Sequence, residues 1–223
     1  MPMDHPIIAI IGGTGKEGTG LALRWASAGY KIVIGSRQAE KACLTAEEIN
    51  RLLGINTVIG MENPEAVKEA DICVLTVVHS AHQQILESLK GVLQGKIMVD
   101  ATSRVDYRNP IPPEPPSAAQ QAFDILDKSV RIVAAFQTVP ARLLREAIGQ
   151  PMNSDVLICS DDPVAAQQVI SLAKAAGMRG YYAGGLANSI VVEGITSILI
   201  SLNKYYGVKD ASILVTGLPD HIM

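Results

Sequence analysis

Residues 7–18 read I-I-A-I-I-G-G-T-G-K-E-G, and the rest of the chain is organised around them. Five apolar residues, mostly isoleucine, make a short buried strand of the kind found at the centre of a parallel sheet. The strand runs into Gly13-Thr14-Gly15-Lys16-Glu17-Gly18, a G-x-G-x-x-G pattern. From Leu21 to Ala28 the pattern is helical, with Leu21, Ala22, Trp25 and Ala26 sharing one face. A strand before and a helix after is the context in which such a turn binds a dinucleotide. Gly13 is expected to make the tight turn, Gly15 to let backbone approach a pyrophosphate, and Gly18 to let the helix pack on the strand. The free N–H groups and positive dipole end of the helix would receive the phosphates.

A second strand, Lys31 to Ile34, follows through Gly29-Tyr30 and ends in Gly35-Ser36-Arg37, with Lys41 four residues beyond. A site for NAD places Asp or Glu there, on the ribose 2′-hydroxyl. An acid would repel a 2′-phosphate, whereas a hydroxyl, a guanidinium and an ammonium bind one. The pattern therefore points to NADP, against the plainer reading of two cations on a solvated helix start.

The 223 residues are 48% hydrophobic and 18% charged, with a formal net charge of -3. That is ample for a core, and the mildly acidic balance gives no support to nucleic-acid binding. Cys43, Cys73 and Cys159 show no metal-ligand spacing; the two in apolar strands read as small apolar residues in a reducing compartment. Met1 to Pro6 carries no signal-peptide pattern, and the apolar stretch Ile190 to Leu202, interrupted by Glu193, is too short to span a bilayer. A soluble, cytoplasmic protein without a metal site is expected.

In chain order, strands and helices alternate. Helix Ala39 to Leu53 stops at Gly54, Thr57 to Ile59 is a strand, and Asn63 caps a small helix opened by Pro64. Ile72 to Val78 is a second continuous apolar run, followed by a helix to about Leu89 and a strand from Lys96 to Asp100. Such repeats argue for a doubly wound parallel sheet of Rossmann type. Asn109 to Pro116 holds five prolines in eight residues and makes a stiff loop, either a spacer or a wall beside the nicotinamide. Ser117 caps a helix to about Leu126, and Val130 to Ala135 is a sixth strand. The last third adds strand Val156 to Cys159, helix Pro163 to Ala176, strand Gly180 to Tyr182 and a helix reaching Tyr205. The organisation expected is an NADP-binding domain over 1–140 and a small C-terminal α/β portion over 141–223. With no long helical second domain, a second substrate must use a shallow cleft or a subunit interface.

Several stretches together resemble the F420-dependent NADP reductases, which pass hydride between NADPH and the 5-deazaflavin coenzyme F420. They are I-I-G-G-T-G at Ile10 to Gly15, I-G-S-R at Ile34 to Arg37, A-D-I-C-V-L-T-V at Ala70 to Val77, T-V-P-A at Thr138 to Ala141, and G-L-A-N-S with V-V-E up to Glu193. The resemblance implies that Thr14, Gly15, Lys16 and Glu17 lie along the pyrophosphate, and Ser36, Arg37 and Lys41 around the 2′-phosphate. It places Val77 on the path from adenosine to nicotinamide and Ala141 at the nicotinamide amide, with Gly13, Gly18, Thr76, Ser103 and Thr138 also among the cofactor-binding residues. NADP(H) and F420 are the implied co-substrates.

The chain departs from the family on the deazaflavin side. Val78-His79 stands where Pro-Trp is common, Gln137 precedes T-V-P, and Gly184-Gly185-Leu186 replaces G-P-L. Asp100 to Arg108 is polar and charged where an apolar segment is usual. Arg104 and Arg108 would then meet the acidic tail of the deazaflavin. Two other functions stay open: an NADPH-dependent reductase of a flavin or a small carbonyl or imine, using His79, Tyr107 or Gln137 to position or protonate it, and a non-enzymatic NADP-binding redox sensor. His79 and His82 read first as surface histidines opening a helix, and only second as acid–base groups. Ile195, Ile198, Leu199 and Leu202 form an apolar helix face that suits either a homodimer or the core.

Overall fold

The computed structural model describes residues 5–218. Most of the amino-terminal stretch read for targeting signals therefore lies outside the described residues. Six strands, β1 (Ile8–Ile11), β2 (Ile32–Ser36), β3 (Val58–Glu62), β4 (Ile72–Leu75), β5 (Ile97–Asp100) and β6 (Arg131–Ala134), pair in parallel in the order β3-β2-β1-β4-β5-β6. Every residue of β1, β2, β4 and β5 is buried, as continuous apolar runs covered on both faces must be. The connecting helices are α1 (Lys16–Ser27), α2 (Ala39–Leu53), α3 (Asn63–Glu69), α4 (His79–Leu89) and α5 (Ala118–Ile125). Strand order reverses between β1 and β4, and that reversal opens a crevice at the carboxyl ends of the strands. A second parallel pair, β7 (Asp155–Ile158) and β8 (Arg179–Tyr182), is joined by α6 (Pro163–Ala175) and followed by α7 (Ser189–Tyr206). The fold is the Rossmann-type doubly wound sheet with a small C-terminal α/β portion.

The C-terminal portion shares the core of the sheet. Trp25 of α1 meets Phe136 edge-on at 5.7 Å and donates its indole N–H to the Leu172 carbonyl of α6 at 2.8 Å. Beside it, Arg24 is 2% exposed and pairs with no carboxylate among the described residues. Its Nε donates to Leu144 O, Nη1 to Gln150 O and Ala176 O, and Nη2 to Leu143 O and Glu146 O. One guanidinium thus collects carbonyls of a turn and of the end of α6, of which Leu143 O also accepts from the Glu146 N–H and the other four would otherwise be left unpaired.

Three local expectations are corrected. Helix α1 starts at Lys16 rather than Leu21, because the last residues of the glycine pattern already form its first turn. The left-handed turn residue is Gly12 (φ 71°), not Gly13, and a Cβ there would lie 2.6 Å from Val77 Cγ1. Asn63 does not cap α3; Glu62 occupies that position, and the buried Asn63 turns its Oδ1 toward the Gly12 N–H at 3.4 Å. Ser117 does cap α5, in a reciprocal capping box with Gln120.

Helix α7 is longer than its apolar run suggested. With the preceding turn it spans Leu186–Tyr206, 21 residues, enough to cross a membrane by length and composition. Its packing makes it a partly buried core helix: Ser189, Val192, Glu193, Ser197 and Leu199 face the body of the protein. The expected apolar face therefore splits, with Leu199 inside and Ile198 and Leu202 exposed.

Glu193, fully buried, is the polar anchor of α7. One carboxylate oxygen accepts from the Ala118 N–H at 2.6 Å, and the other from the Arg104 N–H and Nε at 3.4 and 3.2 Å. Burial pushes the carboxyl above its usual range, and those hydrogen bonds oppose the shift. Glu193→Gln keeps an acceptor but loses the ion pair, and is expected to cost about 1–2 kcal/mol, a fall in Tm of roughly 3–6 °C. Thermal denaturation checks this; an unchanged Tm would show the pair contributes nothing.

Candidate active site

A cleft of about 570 Å³ lies at the β1–β4 reversal. Thr14 and Gly15 form one wall, Ser36, Arg37, Gln38 and Lys41 the end beyond β2, and Thr76, Val77, Val78, Ala81 and Ile85 the opposite wall. Gly15 stands at the N-cap of α1 with no side-chain cap, so first-turn N–H groups are free for an anion. A Cβ on Gly18 would come within 2.7 Å of Gly13 Cα and Thr76 Oγ1, so only glycine lets α1 sit this close to β4. Among the described residues Arg37 and Lys41 form no ion pair, and no acid lines this end of the cleft.

The structure gathers Thr14, Gly15, Ser36, Arg37, Lys41, Thr76 and Val77 around one cavity. Lys16 is exposed and lines a smaller neighbouring groove with Thr14, Gly15 and Arg145. Gly13 is buried beneath the turn, and Ser103, Thr138 and Ala141 lie outside the lining of the main cleft. Tyr107 is 70% exposed, with the Lys204 ammonium 5.3 Å from its ring. Asn63, on the cleft wall, was read as a cap because Asn-Pro usually marks a helix start; its position at the end of β3 was the signal that could have revealed it.

The polar segment after β5 proves to be internally paired. Asp100 and His82 are both buried, with His82 Nε2 2.7 Å from Asp100 Oδ2. Asp100 Oδ1 accepts from the Thr102 N–H at 2.9 Å, and the Asp100 carbonyl from Gln137 Nε2 at 2.9 Å. His82 is thus no surface histidine: α4 turns it inward because a carboxylate waits at the end of β5. Arg104 is likewise held by Glu193 and by the Glu114 carbonyl of the proline-rich loop rather than offered to a ligand, while Arg108 is exposed. That loop packs on α7, where Pro110 and Pro112 line a groove with Ile198 and Leu202. Gln137 follows Phe136, a non-glycine residue held at φ 75° where the chain turns off β6. Its Oε1 and the Thr102 hydroxyl are buried without partners.

Burial lowers the affinity of His79 for a proton, with His82 and Arg104 adding to the effect and Asp100 opposing it. Its imidazole is neutral at neutral pH. Glu17, half-buried in the first turn of α1, has its carboxyl pushed up to about 8, first by burial and then by the charge of Asp100. The folded protein therefore keeps a proton that the unfolded chain surrenders near 4.5, and stability falls as pH rises from about 4.5 to about 8. Over that interval the wild type is expected to lose several degrees of Tm relative to Glu17→Gln. Melting curves at half-unit pH steps check it; parallel profiles would place the Glu17 carboxyl in water.

Comparison with known proteins follows the same lines. A family model described as NADP oxidoreductase, coenzyme F420-dependent, matches residues 7–104. The F420-dependent NADP reductase of Methanothermobacter thermautotrophicus is 39% identical, covering 96% of this chain and 96% of that protein. The F420-dependent NADP reductase of Methanocaldococcus jannaschii is 40% identical, covering 95% and 98%. A crystal structure from Arthrobacter sp. FB24 matches in fold, with a TM-score of 0.78 at 21% identity over 96% of this chain and 100% of that one. With such identity sustained over nearly the whole length of both proteins, the chain belongs to the F420-dependent NADP reductase family.

Proposed function

We propose that Ser36, Arg37 and Lys41 grip the 2′-phosphate of NADP(H), while Thr14, Gly15, Lys16 and the first turn of α1 receive its pyrophosphate. Thr76 and Val77 then guide the nucleotide toward β4 and β5, with Ser103, Thr138 and Ala141 nearest the ring. Family membership makes the chain an NADP-dependent oxidoreductase, with NADP(H) and coenzyme F420 as co-substrates. The observation that carries the cofactor assignment is the pair of unpaired cations beside Ser36 at the end of β2, with no acid among them.

The dihydronicotinamide supplies the hydride. What the protein must supply is proximity, orientation and exclusion of water, not a nucleophile. Here two of the charged residues that depart from the family pattern, Asp100 and Arg104, are spent on internal pairs, so they do not compete for the acceptor. The exposed side of α7, with Ile198, Leu202, Tyr205 and Tyr206, is the surface through which a cytoplasmic homodimer would form.

The test is to mix the protein with NADPH and oxidised F420 and follow loss of the deazaflavin's visible absorbance, with FMN and FAD in parallel. Bleaching of F420 alone is expected. NADPH binding without bleaching of F420 would mean the fold had kept its cofactor and changed its acceptor.

A further inference from the structure

The stretch between β6 and β7 carries Arg142 and Arg145, and the two are spent differently. Arg142 pairs with both Glu146 and Asp210. Arg145, its side chain 43% exposed, has one acid within reach among the described residues, Glu48 of α2, at 3.9 Å. That is the outer limit of an ion pair, between two solvated side chains, where such a pair contributes little.

The backbone that presents Arg145 is, by contrast, fixed. Its neighbour Leu144 is fully buried against α1, where a Cβ on Gly20 would stand 2.5 Å from Leu144 Cβ. Arg24 donates to the carbonyls of Leu143, Leu144 and Glu146, on either side of residue 145. A glycine, a leucine and a buried guanidinium thus pin an irregular turn to α1, and leave the Arg145 side chain outside with a weak partner.

Arg145 borders a groove of about 140 Å³ between α1 and α2. Thr14, Gly15 and Lys16 line it too, and the first two also line the main cleft. Groove and cleft therefore meet at the uncapped N-terminus of α1, the groove bringing Lys16 and Arg145 to it and the cleft Arg37 and Lys41.

We infer that Arg145 is a binding residue for the dinucleotide, leaving Glu48 to close over the pyrophosphate from the C-terminal portion of the chain. This rests on the pyrophosphate placement proposed above. A diphosphate offers several charged oxygens to a planar fork of donors, and Lys16 and the free N–H groups of α1 hold it in place. A charge-assisted contact there is stronger than one long surface pair with a carboxylate, so the exchange of partners is favourable. The side chain is long enough to make it while the turn stays where Arg24 and Leu144 hold it. NADPH and NADH share the pyrophosphate, so Arg145 adds affinity for both without telling them apart. That is the opposite task from the one given to Arg37.

The experiment is calorimetric titration of the whole protein with NADPH, NADH and adenosine 2′-monophosphate, which carries the 2′-phosphate but no pyrophosphate. Arg145→Ala is expected to weaken NADPH and NADH by the same factor, about five- to tenfold, and to leave adenosine 2′-monophosphate within about twofold of the wild type. Arg145→Lys should recover part of the loss, since it restores the charge without the fork. Unchanged dinucleotide affinity in Arg145→Ala, a loss confined to NADPH, or an equal loss for adenosine 2′-monophosphate would each overturn the inference while leaving the NADP(H) assignment intact. Failure of the wild type to bind NADPH more tightly than adenosine 2′-monophosphate would instead overturn the pyrophosphate placement, and this inference with it.

Discussion

Arg24→Ala is expected to lower Tm by roughly 8–16 °C, among the largest stability losses expected from a single change in this protein. The side chain is 2% exposed, and all of its donor positions point at backbone carbonyls. Alanine would take the guanidinium from five carbonyls around a vacated space; four would be left unpaired, while Leu143 O keeps the Glu146 N–H at 3.1 Å. Hydrogen bonds from a charged group contribute about 1.5–3 kcal/mol each when counted singly. They are not additive, and water will reach some of these carbonyls, so a loss of about 4 kcal/mol is the reasoned figure. Arg24→Lys should recover only part of it, because three donors on one nitrogen cannot reproduce the spread of the guanidinium fork. Thermal and denaturant unfolding of the three proteins decide the matter. Equal stability of the lysine variant and the wild type would mean that charge, not the fork, is what the carbonyls need.

Arg37→Ala is expected to weaken NADPH binding about 30- to 100-fold and NADH binding by no more than about twofold. The guanidinium lies at the end of β2 with Ser36 and Lys41, and no carboxylate competes for it. A charge-assisted contact to a dianionic phosphate accounts for the loss; NADH, lacking that phosphate, has nothing to lose. Fluorescence titration with both nucleotides measures the ratio. Equal weakening of the two would remove Arg37 from the phosphate site and make it a general contact to the nucleotide.

The sheet was legible because its central strands are covered on both faces and so are written as uninterrupted apolar runs, at Ile8–Ile11 and Ile72–Leu75 alike. The adenosine end of the site was legible for a related reason. Gly15, Ser36, Arg37 and Lys41 lie in the first βαβ unit or within five residues after it, where local spacing fixes position. The other end was not. His82 finds Asp100, Arg104 finds Glu193, and Ser117 finds Ser189 only after the chain has folded back on itself, and no periodicity announces such meetings. Charges after β5 therefore looked like groups awaiting a substrate, whereas two of them, Asp100 and Arg104, are consumed inside the protein. The start of α1 was hidden because glycines disguise a first helical turn.

The Asp100–His82 pair also bears on how this end of the molecule can change over generations. Replacing either partner alone with an apolar residue strands the other without its mate in a dry interior, a penalty of about 3–5 kcal/mol. Replacing both at once removes the need for either. The two positions are thus one heritable unit, and the route between a polar and an apolar lining passes through an unfit single mutant or through a simultaneous double change. Anyone redesigning acceptor preference in this protein would do well to exchange residues 82 and 100 together, as one character rather than two.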